Sequence, residues 1–261
     1  MHPILLKIGS FTIYTYGFLI ATGIMLSLFV ARKEAKRVGI DPDKITDLCF
    51  YLVISGVIGS RVFYVATNPE MFADDFFEIF RLWNGGLVFY GAFIGAFITG
   101  IVYVKKTGLQ LWKTADICAP AVAIGHVLGR LGCFSAGCCY GKVCDLPWAV
   151  TFTDPHTLAR PIGVALHPTQ LYASGSNLII FLILTFIRRR MKFDGQLFWI
   201  YVVLYGITRS TIEFFRADFR GGIVFGMFSI SQIIGWSMAS LAVVMLIILS
   251  RRAMSASEKN V

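Results

Sequence analysis

Apolar residues in this chain come in long blocks separated by short polar stretches. A membrane-spanning helix needs about 20 consecutive, mostly apolar residues. Seven stretches qualify: about 14–31, 46–66, 86–104, 114–131, 168–187, 196–215 and 229–250. The fourth is interrupted by Asp116, Pro120 and His126. In the third, Gly91, Gly95 and Gly100 suit helices that pack closely without a hydrophobic drive. The pattern predicts an all-α, polytopic membrane protein with seven transmembrane helices, forming a single integral membrane domain over 1–261. No internal repeat, low-complexity tract or soluble domain stands out. The tail 253–261, "AMSASEKNV", is expected to be disordered.

Composition agrees with this reading. The chain is 56% hydrophobic and 15% charged, with mean hydropathy +0.70, where a soluble domain is about a quarter charged. The net charge of +9 raises nucleic acid as a partner. The basic residues, however, lie in short clusters between apolar runs, with no basic stripe or stacking motif, so no nucleic-acid partner is expected. They read instead as topogenic signals. "RKEAKR" (32–37) follows the first span, Lys105 and Lys106 the third, "RRRMK" (188–192) the fifth, and Arg251 and Arg252 the seventh. The other loops are mixed or acidic, as in "NPEMFADDFFEIF" (68–80). The positive-inside rule then puts the N-terminus outside and the C-terminus in the cytoplasm. The first fifteen residues show no basic n-region or cleavage site, so the first apolar run is expected to insert uncleaved. Residues 132–166 become an outward-facing loop. In a bacterial inner membrane that loop meets an oxidising periplasm.

Ionisable residues inside spans are costly and usually functional. Arg61 lies in "VIGSRVFYV", Arg130 in "GHVLGRLG", and Arg209 and Glu213 in "YGITRSTIEFF". Arg209 with Glu213, and His126 with Arg130, are spaced i,i+4 and share helix faces. Arg209 and Glu213 read either as a self-neutralising structural pair or as part of a site. Arg61 reads either as a snorkelling or helix-end residue or as a phosphate ligand. Several arginines near one leaflet form a natural phosphate clamp, because guanidinium donors match phosphate oxygens, and membrane lipid supplies phosphate at that depth. Tyr14 and Tyr16 read as interfacial anchors. Tyr90, inside a span among small residues, calls for a hydrogen-bond partner. His167 and Gln170 open the fifth span.

Four of the six cysteines fall in "GCFSAGCCYGKVCD" (132–145). Cys133, Cys138, Cys139 and Cys144 offer ligands for zinc or an iron–sulfur centre, but adjacent Cys138 and Cys139 are awkward in one tetrahedral site, and no metal is expected. Facing an oxidising compartment, one or two disulfides fit better, in a pairing the spacing leaves open. A reactive or redox-sensing thiol is a third reading. Cys49 and Cys118 lie in spans and read as core.

Taken together and in this order, "YTYGFLIA" (14–21), "GSRVFYV" (59–65), "WNGGLVFYGAFIG" (83–95), "GRLGCFSAGCCYG" (129–141), "HPTQLY" (167–172) and "YGITRSTIEFFR" (205–216) resemble the prolipoprotein diacylglyceryl transferase family. The resemblance implies transfer of a diacylglyceryl group from phosphatidylglycerol to the lipobox cysteine thiol in a prolipoprotein signal peptide. The product is a thioether, and glycerol phosphate leaves. Tyr16 falls on the family's essential tyrosine, Arg130 on the arginine of its signature and Gly141 on that signature's closing glycine. Arg209 and Glu213 fall on the arginine and glutamate of its sixth span. Arg61, Asp116, His167 and Tyr205 match recurring positions. Where the signature reads like G-R-x-G-N-F-x-N-G-E-x-x-G, this chain has Cys133 at the first asparagine and Cys138 at the glutamate. Some members carry histidine at Tyr90. The chemistry needs a base or positive field for the thiol, with Tyr90, His126 and His167 as candidates and Glu213 as an orienter of Arg209. It needs no metal and no cofactor. The alternatives are a paralogue acting on another acceptor, or a redox or metal-binding membrane protein using the cysteine cluster.

Overall fold

The computed structural model describes residues 3–9, 11–72, 75–217, 223–224 and 228–258. Among these residues, seven α-helices carry the fold: α1 Thr15–Arg37, α2 Pro42–Thr67, α3 Phe89–Lys106, α4 Leu111–Ala136, α5 Thr169–Ile187, α6 Gln196–Glu213 and α7 Ile230–Glu258. Three short antiparallel hairpins sit between or before them. These are β1 Ile4–Ile8 with β2 Phe11–Tyr14, β3 Val150–Thr151 with β4 Ala165–Leu166, and β5 Ile223–Val224 with β6 Phe228–Ser229. All of the predicted apolar blocks are helical.

Six of the seven helices are long and apolar enough to cross a membrane. The exception is α6, where Gln196, Arg209 and Glu213 dilute an 18-residue helix. The helices turn apolar side chains outward, with Phe29, Phe97 and Phe186 64%, 60% and 70% exposed. A water-soluble helix would bury such a stripe, so these surfaces fit a lipid solvent. The chain is a polytopic membrane protein.

Helix α7 continues through residues 253–258, where Ala253, Met254, Ala256 and Glu258 favour helix and extend an already nucleated one. Residues 259–261 lie outside the described residues.

The chain forms two compact units, Met1–Val30 with Ala115–Val261, and Ala31–Thr114. In the second unit, α2 packs on α3 along small residues. A Cβ on Gly91 would overlap the Gly59 carbonyl oxygen and the Phe63 Cβ, so glycine is required for this approach. In the first unit, Ala119 and Ala123 of α4, Ile180 and Leu184 of α5, Leu197, Tyr201 and Val202 of α6, and Ala242 of α7 form a buried core. Interhelical hydrogen bonds supplement it: Ser27 Oγ donates to the Ala121 carbonyl at 2.8 Å and Ser174 Oγ to the Val127 carbonyl at 3.1 Å. In a membrane such bonds and close packing replace the hydrophobic drive.

Asp116, at a position that recurs in the resembled family, has a structural task. Its carboxylate accepts from the backbone N–H of Gly195 at 2.7 Å and of Phe198 at 2.8 Å, capping α6 from across the unit. The Asp116→Ala variant is expected to lose about 1–2 kcal/mol, the cost of an uncapped helix start. The readout is a thermal midpoint in micelles lowered by a few degrees; an unchanged midpoint would refute the assignment.

Candidate active site

One end of the first unit gathers the chemistry. It combines the C-terminal ends of α4 and α6 with the N-terminal ends of α1, α5 and α7. Tyr16, on the first turn of α1, packs against Gly132 near the end of α4. It lies in electrostatic range of Arg130, Cys133, Cys138 and Cys139.

The loop after α4 is tied down by backbone. Thr169 Oγ1 donates to the Cys139 carbonyl at 2.6 Å and Gln170 Nε2 to the Cys138 carbonyl at 2.8 Å. Both donors are 1% exposed. The Gly141 N–H donates to the His167 carbonyl at 3.0 Å, and the Lys142 N–H to the Phe215 carbonyl at 2.8 Å. Gly141 also forms an isolated β-bridge with Arg216. The signature loop is thereby held to the start of α5 and the segment after α6.

Three guanidinium groups converge beside it. Arg209 pairs with Glu213, and Arg216 Nε lies 3.7 Å from the same carboxylate oxygen. Ser229 Oγ donates to the other oxygen of Glu213 at 3.2 Å. Arg130 is in electrostatic range of Arg216, Tyr205, Cys133 and Cys139, and its Nη1 is 3.8 Å from Cys139 Sγ. Among the described residues no carboxylate pairs with Arg130. A cleft opens between the helices, lined by Arg130, Ser176, Asn177, Tyr205, Thr208 and Arg209. Among the described residues, Arg209 and Arg216 share one carboxylate and Arg130 stands near them in a largely buried place, an arrangement suited to an anion.

The two histidines differ. His126 Nδ1 lies 3.2 Å from the Tyr201 hydroxyl, and its ring lies tilted over Tyr205 at 5.3 Å. Tyr205 stacks in turn on Tyr201 at 5.7 Å. His126 is built into the wall behind Arg130. His167 sits on the loop side, with Nδ1 3.1 Å from the Tyr172 hydroxyl and its ring 5.2 Å from that of Phe215.

None of the six cysteines is in a disulfide, which corrects the expected bridge. The loop is braced by the backbone bonds above, and Cys144 is placed apart, its N–H donating to the Ala165 carbonyl at 3.1 Å. The Sγ atoms of Cys133, Cys138 and Cys139 lie within 4.8 Å of one another and have the chemistry to hold a soft metal. Hydrogen bonding with Cys133 and Cys139, together with burial, pushes the Cys138 thiol well above its ordinary pKa. It is therefore a neutral thiol at pH 7, where the resembled signature has a glutamate.

Arg61 and Tyr90 belong to the second unit. Arg61, 6% exposed, donates Nε to the Ile79 carbonyl at 2.9 Å, Nη1 to that of Gly85 at 2.7 Å and Nη2 to that of Glu78. Its guanidinium lies 5.3 Å from the Phe72 ring and 5.7 Å from that of Tyr64. These donors anchor the segment between α2 and α3. Tyr90, on the first turn of α3, is 54% exposed and edges against Phe89. Replacing Arg61 with lysine is expected to destabilise this segment, measured as faster proteolysis between residues 68 and 86. Proteolysis at the wild-type rate would count against the anchor role.

Arg216 was not singled out from sequence. Its signal was the i,i+3 spacing from Glu213 in "EFFR", just past the end of α6. Thr169, Gln170 and Ser229 are likewise supports, visible in sequence only as polar residues at helix starts.

Comparison with known proteins gives the family. The model of the prolipoprotein diacylglyceryl transferase family matches residues 3–248. The chain is 36% identical over 234 residues to the phosphatidylglycerol–prolipoprotein diacylglyceryl transferase of Clostridium tetani (strain Massachusetts / E88), covering 90% of this chain and 92% of that one. It is 33% identical over 257 residues to the protein of that name from Geobacter sulfurreducens, covering 97% and 96%. The Bacillus cereus (strain G9842) protein is 31% identical over 263 residues, covering 100% and 96%. With a match over nearly its whole length, the chain belongs to the prolipoprotein diacylglyceryl transferase family.

Proposed function

We propose that this protein transfers the diacylglyceryl group of phosphatidylglycerol to the lipobox cysteine of a prolipoprotein. The sulfur attacks the glycerol carbon that bears the phosphate. A C–S bond forms, the C–O bond breaks, and glycerol phosphate leaves with the electron pair. The observation that carries this reading is a cleft lined by Arg130 and Arg209, beside which Arg209 and Arg216 share the Glu213 carboxylate. The names of the relatives support the substrate and acceptor.

In this reading Arg130 and Arg209 hold the lipid phosphate. Fixed donors in a poorly hydrated site stabilise the charge that develops on the leaving group. Glu213 orients Arg209. Tyr16 stands beside Arg130 and the loop cysteines. The attacking thiol needs help, since an ordinary thiol has a pKa near 8.5. His167 is the candidate base in this reading, because it sits on the loop side, with its ring held by Tyr172 and Phe215. His126 is a positioning residue, since Tyr201 and Tyr205 hold its ring. Holding lipid and peptide together supplies effective molarity. The seven helices all span the bacterial inner membrane, with the N-terminus and this site on the outer side and the C-terminus in the cytoplasm. The clustering of basic residues in alternate loops supports that orientation.

The test uses purified full-length protein in vesicles with a lipobox peptide. A diacylglyceryl adduct on the peptide thiol, with equimolar glycerol phosphate, is expected from phosphatidylglycerol and not from phosphatidylcholine. Absence of the adduct, or equal use of both lipids, would overturn the proposal.

A further inference from the structure

We infer that Cys133, Cys138 and Cys139 form a three-thiolate site for one thiophilic cation of the Cu(I) class, and that its occupation competes with lipid phosphate for Arg130. The first argument is distance. The three Sγ atoms lie within 4.8 Å of one another. Thiolates about 2.3 Å from a central ion in a trigonal plane sit about 4.0 Å apart. Closure therefore needs a contraction of about 0.8 Å at most, which side-chain rotation supplies.

The second argument is the backbone. Adjacent cysteines ordinarily point to opposite sides of an extended chain, which makes them poor partners for one ion. Here Cys139 adopts φ 63°, the left-handed conformation. It turns its side chain back, so that both thiols face Cys133 at the end of α4. The bonds from Thr169 and Gln170 to the Cys139 and Cys138 carbonyls fix that turn, so the donor set is largely pre-formed.

The third argument is ligand chemistry. Cys144 is not part of the group, and no carboxylate or imidazole joins it among the described residues. Three soft donors and no hard one select a soft ion over magnesium, calcium or manganese. Structural zinc takes four protein ligands, whereas Cu(I) is satisfied by three. Binding releases the thiol protons to solvent and leaves three thiolates around a single positive charge. Arg130, with Nη1 3.8 Å from Cys139 Sγ, is the adjacent counter-ion. Drawn to the thiolates, it is lost to phosphate; bound phosphate in turn weakens the metal by the same factor. The competition rests on the reading of Arg130 as the phosphate ligand, while the metal site does not.

The experiment titrates reduced, full-length protein in micelles with Cu(I) held by a coloured chelator. Wild type is expected to withhold one Cu(I) per chain and to protect three thiols from an alkylating reagent. Cys133→Ser and Cys139→Ser are expected to weaken retention by more than the about 10–100-fold typical of outer-shell changes. Cys144→Ser should leave it unchanged. Wild-type protein that withholds no Cu(I) or protects no thiols would overturn the site, as would a triple serine variant that withholds as much as wild type. Adding phosphatidylglycerol to micelles of a phosphate-free detergent should weaken Cu(I) retention several-fold. Equal retention would overturn the competition, and the peptide-adduct assay reads the transferase separately.

Discussion

Replacing Arg130 with alanine is expected to lower the rate of diacylglyceryl transfer by about 10²–10³-fold, the usual cost of one preorganised donor at a developing charge. Arg209 and Arg216 share the Glu213 carboxylate, so part of their field is already neutralised. Among the described residues, the hydrogen-bonding partner of Arg130 is a thiol, Cys139 Sγ at 3.8 Å. It is therefore the cation whose charge is most available to an anion in the cleft. The loss should appear mainly in kcat, because charge on the leaving phosphate grows toward the transition state. Lysine at this position keeps the charge but not the planar fork, and is expected to recover only part of the activity. Arg209→Ala tests a different quantity: it leaves Glu213, with 9% side-chain exposure, short of its closest partner and should lower stability as well as rate. Transfer by the Arg130→Ala protein at the wild-type rate would remove Arg130 from the phosphate site.

The cysteine at 138 sharpens that expectation. A glutamate there would add a carboxylate to a region where, among the described residues, Glu213 is the one paired with arginine. A neutral thiol does not, so the local balance stays more positive than the resembled signature implies. Cys138→Glu is expected to return a carboxylate close to Arg130 and to narrow the gap between wild type and Arg130→Lys in the peptide-adduct assay. An unchanged gap would mean that the charge at 138 does not reach the phosphate.

The helices were legible because the bilayer sets one requirement, a long apolar run, and each run became a helix with ends shifted by a few residues. Helix α6 marks the limit: its polar residues belong to the site and the packing, and they dilute the feature that announces a span. The i,i+4 pair of Arg209 and Glu213 was legible for the same local reason. What local spacing cannot show is which distant backbone a side chain meets. His126 and Arg130 share a face of α4, yet His126 is settled by Tyr201, 75 positions away. Arg61 carried two readings in sequence, and the loop carbonyls that engage it lie 17–25 positions downstream. Arg216 was not singled out, because its bridge to Gly141 joins segments 75 positions apart. The paired cysteines misled for a backbone reason, since no glycine announces the left-handed turn at Cys139.

Gly141→Ala is expected to be nearly as damaging as loss of Arg130, although glycine has no side chain to offer. A Cβ built there would lie 2.5 Å from the His167 Cβ, 2.6 Å from the His167 carbonyl oxygen and 2.7 Å from the Phe215 carbonyl oxygen. Two of those three atoms are backbone and cannot swing away. The same residues carry the bonds that hold the loop, from Gly141 N–H to His167 and from Lys142 N–H to Phe215. Relief of the overlap must therefore separate the signature loop from α5 or from the segment after α6. Overpacking of this kind costs about 1–3 kcal/mol in stability. The larger effect is positional: Arg216 bridges to Gly141 and shares Glu213 with Arg209, so a shift of the strand moves the whole cation cluster. A displacement near 1 Å costs about 10²-fold in a reaction that depends on alignment. A modest fall in thermal midpoint with a disproportionate fall in transfer is the expected signature, and His167, on the other side of the contact, should lose alignment with it. A Gly141→Ala protein that unfolds earlier but transfers at the wild-type rate while folded would show that the loop can move without disturbing the arginines.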